Sequence, residues 1–146
     1  MVLGVLGALA TASCNLEQSS ELALELELGS CDESDLSSVR VLSVEVYGSA
    51  GGSECALARR CIAVDAPTSV DELRTALRDV NQPLVEVDDI SEDLLIVVTG
   101  HSTNDCFDFS DRAVCGFADF RDRVGGAVNI ALNCSACPTR EYPLCP

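Results

Sequence analysis

The sequence predicts a mainly β protein, a small disulfide-stapled antiparallel β-sandwich with one α-helix at about residues 70–80. Three observations lead there. Residues 21–28 (ELALELEL) place Leu22, Leu24, Leu26 and Leu28 on one side and Glu21, Ala23, Glu25 and Glu27 on the other, the period of a half-buried antiparallel strand. Residues 94–99 (LLIVVT) form an apolar, β-branched run too short for a comfortable helix and suited to a strand buried on both faces. Nine cysteines in 146 residues supply the staples.

The remaining elements follow in chain order. At a helical period the leucines of 21–28 would wrap around the whole cylinder, so the strand pattern outranks the helix propensity of Leu and Glu. Residues 29–38 (GSCDESDLSS) read as a turn-forming loop carrying Cys31. Residues 39–47 (VRVLSVEVY) are the longest strand, with Val39 and Val41 on one parity and Leu42, Val44 and Val46 on the other. A β-bulge near 41–43, or a strand passing between sheets, accounts for the switch. Residues 48–53 (GSAGGS) read as a flexible loop, and 61–64 as a short strand. Ser69 and Glu72 form a capping box that starts a helix with Val70, Leu73, Leu77 and Val80 on one face, and Pro83 stops it by Asn81. Residues 84–87 are a strand candidate and 88–93 (DDISED) an acidic turn. Residues 115–120 are a further strand, Gly125-Gly126 a turn, and 127–133 a last strand burying Val128, Ile130 and Leu132.

Composition sets limits on function. Hydrophobic residues make up 47% of the chain, enough for a real core, while aromatics are only 4%. The net charge is −15, from 24 acids against nine bases, all of them arginine. Such a field repels phosphate backbones, and Arg59-Arg60 is the one tight basic cluster, so no nucleic-acid partner is expected. No cofactor is expected either.

Residues 1–13 (MVLGVLGALATAS) are small or apolar and uncharged, like the apolar half of a signal peptide. They lack its basic start, which places the expected true start upstream of Met1. Ala10-Thr11-Ala12 fits ordinary signal peptidase, with Ser13 as the new terminus. Thr11-Ala12-Ser13-Cys14 instead resembles the lipobox of bacterial lipoproteins, with Thr11 where that family prefers Leu. The resemblance implies lipidation of Cys14 and a membrane partner through the lipid; the polar 14–21 reads as a tether, and 22–146, with no internal repeat or second boundary, as a single β-rich domain. Lipidation of Cys14 leaves eight cysteines, an even number for disulfides. The chain is similar to small exported bacterial lipoproteins without a catalytic signature. That likeness implies a place in the cell envelope and an envelope protein or glycan as binding partner.

Proximity suggests the bridges Cys55–Cys61 and Cys106–Cys115, each closing a small loop, with Cys31–Cys134 joining first and last strands and Cys137–Cys145 pinning the tail. In the loop-entropy treatment the short loops contribute roughly 2.5 kcal/mol each and Cys31–Cys134 nearly 5. Cys134-Ser135-Ala136-Cys137 has the spacing of a zinc or redox motif. A structural zinc wants a second such pair, however, and a redox dithiol wants a helix start rather than a strand end running into Pro138. Two half-cystines with separate partners is the reading adopted, and no metal is expected.

His101 is the sole histidine, so any Ser-His-Asp or Cys-His machinery must use it, and an exported hydrolase is the rival function. Without a nucleophile motif, a single loop histidine reads as a solvated side chain. Asp105, Asp108 and Asp111, spaced by three, offer oxygens to calcium but lack the EF-hand spacing and its Gly; a solvated acidic loop is the simpler reading, with a calcium-stabilised adhesion-type module as its alternative.

Overall fold

The alternating leucines near the N-terminus form the expected strand, but it pairs in an unexpected direction. The computed structural model describes residues 23–50, 53–78, 94–108, 110–120, 127–135, 137 and 143–145. The signal-like segment, Cys14, the tether, the 84–87 strand candidate, the 88–93 turn, Val80 and Gly125-Gly126 lie outside these residues. Ala23–Leu28 (β1) runs parallel to Ala127–Leu132 (β6), with Leu24 opposite Val128 and Leu26 opposite Ile130. Period-two alternation reports which face is buried and is blind to the neighbour's direction. The burial expectation holds: Leu24, Leu26, Val128, Ile130 and Leu132 are all buried.

The other sheet is antiparallel. Its strands are Val41–Ala50 (β2), Ser53–Ala63 (β3), Leu94–His101 (β4) and Arg112–Phe120 (β5), in the spatial order β3-β2-β4-β5. The 94–99 run is therefore an interior strand, as its unbroken hydrophobicity demands. Gly48, Ser49, Ala50 and Ser53 are strand rather than loop, since Gly48, Ser49 and Ala50 pair with Cys55, Glu54 and Ser53. The bulge lies midway along β2, opposite Val46 and Tyr47, and not near 41–43 as expected. Val46 pairs with Ala58 and Tyr47 with Ala56, so Leu57 is the extra residue, on β3.

The parity switch in β2 has a different origin, because both of its faces are covered. Leu42, Val44 and Val46 enter the main core with Ile96, Val98 and Val114, while Val41, Ser43, Glu45 and Tyr47 are buried on the opposite face. The main core lies between the two sheets. Gly116 lets them close, since a Cβ there would sit 2.5 Å from Ile130 Cγ2 and 2.6 Å from the Ala131 carbonyl oxygen. Cys115 and Asn133 join the sheets at this corner through paired backbone hydrogen bonds of 2.9 and 2.7 Å.

Among the described residues two helices complete the core. Glu33–Leu36 (α1) is a single turn within the segment read as a loop, closed by the Asp35 carboxylate accepting from the Asp32 amide (2.8 Å), and it buries Leu36. One turn is too short to show a period. Val70–Arg78 (α2) buries Leu73 and Leu77. Ser69 accepts from the Glu72 amide as expected, but Glu72 reaches back to the amide and hydroxyl of Thr68 rather than to Ser69. Arg74 of α2 donates to the Leu26 carbonyl (2.7 Å), supplying a partner on β1, and Arg78 pairs with Glu25.

Four disulfides clamp these layers: Cys31–Cys134, Cys55–Cys145, Cys61–Cys106 and Cys115–Cys137. The long-range bridge is as expected, because the parallel pairing of β1 and β6 brings their ends together. The other three expected pairs are wrong, for geometric reasons. Cys55 and Cys61 lie on one strand, β3, and are roughly 20 Å apart at strand rise, far beyond disulfide reach. Cys106 and Cys115 fall on opposite sides of β4. The first has its sulfur 3.4 Å from the Leu42 carbonyl of β2, and the second belongs to β5. Cys137 is held at β5 and Cys145 at β3, the two edges of the sheet, so they do not meet.

Candidate functional site

The buried face of β2 that looks away from the main core carries the polar cluster of the molecule. It starts from an alternation in which Ser43, Glu45 and Tyr47 punctuate valines, a pattern that by itself predicts a solvated face. Neighbouring strands bring Thr99, His101 and Arg59 alongside, and Ser43, Glu45, Thr99 and His101 are all buried. A smaller apolar cluster, Tyr47, Ala56 and Val97 with Leu95 against it, continues the face. Pro143 to Cys145 flank it at Ala56, where the backbone pairs in both directions (2.8 and 3.0 Å).

His101 is the last residue of β4 and is fully buried, at 0% exposure, which corrects the expectation of a solvated loop side chain. Its Nδ1 lies 3.2 Å from the Asp108 carbonyl oxygen and its Nε2 3.1 Å from Ser43 Oγ. A carbonyl only accepts, so Nδ1 carries the proton; in the neutral ring Nε2 then accepts from the Ser43 hydroxyl. The contact joins the two side-chain types that a serine hydrolase uses as nucleophile and base, with a backbone carbonyl where a triad has its carboxylate. Ser43 is 2% exposed, so no substrate carbonyl has a path to its oxygen in this state. Ser43 was not legible as a histidine partner: the two are 58 positions apart and only strand register unites them.

Beside this pair, Glu45 accepts from Arg59 Nε (2.7 Å) and from the Tyr47 hydroxyl. Phe107 stacks against the same guanidinium, 5.9 Å from its ring centre. Burial first, and then the adjoining Glu45 carboxylate, push the Tyr47 phenol well above its ordinary value. A cation and a hydroxyl thus satisfy the buried Glu45 carboxylate.

The aspartates weighed as an alternative calcium site are occupied separately. Asp105 accepts from the Phe107 amide (2.9 Å), Asp108 from the amide and hydroxyl of Ser110, and Asp111 from the Ser102 hydroxyl. The Ser110 contacts hold the Asp108 carboxyl below its usual range. Among the described residues these three carboxylates do not converge as a cation cage; the one group of close ligand atoms is Cys31, Asp35 and Cys134, whose sulfurs are bonded to each other. Cys134 and Cys137 go to separate partners, on the loop after β1 and on β5, as the two-half-cystine reading expected. All eight cysteines from Cys31 onward are oxidised, and Cys14 lies outside the described residues.

Among the described residues no helix is long and apolar enough to cross a membrane. No protein-family model, curated protein or solved structure matches this chain.

Proposed function

We propose that the chain is an exported, lipid-anchored, non-enzymatic protein of the bacterial cell envelope, which presents its disulfide-stapled β-sandwich to an envelope protein or glycan. The observation that carries this reading is the four bridges, which use every cysteine after Cys14 and agree with an oxidising, extracytoplasmic compartment. Their even closure leaves Cys14 as the odd thiol, in the position where lipid would attach. A binding role draws support from half-exposed aromatic and aliphatic side chains, Phe107, Phe117, Leu57 and Leu144, on a strongly acidic molecule. The acidic field favours a partner with basic or neutral groups and disfavours nucleic acid.

The anchoring is tested by metabolic labelling with a fatty-acid analogue. The expected outcome is a labelled protein in membrane fractions and loss of the label in Cys14→Ser. An unlabelled product starting at Ser13 would remove the anchor and leave a secreted protein.

The Ser43–His101 contact favours a second reading, an exported hydrolase. Burial of both side chains supports a structural role for the pair instead, and His101→Ala screened on generic esters, peptides and glycans separates the two.

A further inference from the structure

We propose that residues 102–108 form a cover that is released by reduction of Cys61–Cys106, and that its release exposes the Ser43–His101 pair. The segment leaves β4 immediately after His101 and folds back across the end of the sheet toward β3. It has no strand pairing of its own, and a small set of contacts holds it down. Asp108 accepts from His101 Nδ1 (3.2 Å), the Cys106 sulfur lies 3.4 Å from the Leu42 carbonyl, and Phe107 rests on Arg59. The covalent fastening is the bridge to Cys61 on the edge strand β3.

The two ends of that bridge differ: Cys61 is exposed, whereas Cys106 is buried at 2%. A dithiol reductant therefore meets Cys61 first. One of its thiolates attacks the Cys61 sulfur, and Cys106 leaves as a thiolate that takes up a proton. The second reductant thiolate then displaces Cys61, so two electrons reach the protein and the reductant closes its own disulfide. Cys134 is the other exposed half-cystine, but its bridge ties β1 to β6, which are paired along their whole length. Opening that bridge leaves β1 and β6 held by their own strand pairing. Cutting Cys61–Cys106 leaves 102–108 with isolated contacts, the condition for local opening without global unfolding.

The sole histidine provides the readout. Diethyl pyrocarbonate modification of His101, followed by peptide mass, reports whether the ring is covered. In the oxidised protein His101 should be protected. In the double variant Cys61→Ser, Cys106→Ser it should react at least about tenfold faster, with the other three bridges intact and the circular dichroism near native. Cys115→Ser with Cys137→Ser should leave His101 protected. In the unmodified chain titrated with dithiothreitol, His101 reactivity should rise in step with alkylation of Cys61 and Cys106. A folded double variant with His101 still protected overturns the proposal. So does a titration in which Cys61 and Cys106 become alkylated with no gain in His101 reactivity, and this second arm decides the matter if the double variant fails to fold.

Discussion

Glu45 shows how a residue that reads as outward-facing becomes buried. Its neighbours Val44 and Val46 face the main core, so alternation alone assigns the carboxylate to solvent, yet it is only 2% exposed. What offsets its burial comes from the next strand, in Arg59, and from Tyr47 two positions along. Arg59→Ala should therefore destabilise the fold by about 3 kcal/mol, since it strands a buried anion. The double replacement Arg59→Met, Glu45→Met should cost much less, and paired urea titrations measure the difference. Tyr47 gives a pH test whose sign follows from its raised folded pKa. The phenol's contribution is fully present below its unfolded value, near pH 10, and is lost as pH rises beyond it. Stability should thus fall in alkali, and Tyr47→Phe should flatten that fall in denaturation midpoints taken from about pH 9 to 12. None of this network was legible in the sequence, because the pairing of β2 with β3 creates it. Ser43 and His101 meet in the same way, through the pairing of β2 with β4.

At the scale of elements, the sequence was informative wherever a single face had to be buried. The leucines of β1, the apolar run of β4, and Val128, Ile130 and Leu132 of β6 all lie where their periodicity puts them. The helix begins and buries its leucines as Ser69, Glu72, Leu73 and Leu77 foretell. Direction and length were less legible. The parallel partner of β1 leaves no trace in an alternating pattern, and Gly48, Ser49 and Ala50 continue a strand although their composition reads as loop. Gly116 likewise carries no signal until β6 is seen lying over it. Its replacement tests the closeness of the two sheets. Gly116→Ala introduces a Cβ between Ile130 and the Ala131 carbonyl, backbone that cannot rotate away, and should cost about 1–3 kcal/mol or more. An unchanged thermal midpoint would mean that β5 and β6 do not approach as described.

At the scale of the whole molecule, the bridges hold together parts that are remote in sequence. They span separations of 22, 45, 90 and 103 residues, and in the loop-entropy treatment each contributes about 3–5 kcal/mol, the shortest least. Short-range pairing was a reasonable reading of the spacing, and it failed because β3 runs straight through both Cys55 and Cys61. The order of strands and the burial of the Ser43–His101 face require this connectivity, so mapping the bridges without reduction is the most direct test. The chain has no lysine, and trypsin cuts after Arg59, Arg60 and Arg112, which separates Cys55 from Cys61 and Cys106 from Cys115. The expected result is that the Cys55 peptide is joined to the C-terminal Cys145 peptide and the Cys61 peptide to that of Cys106. The peptide holding Cys134 and Cys137 should be joined to those of Cys31 and Cys115. Recovery of Cys55 linked to Cys61, or Cys106 linked to Cys115, would contradict the fold and everything built on its sheet order.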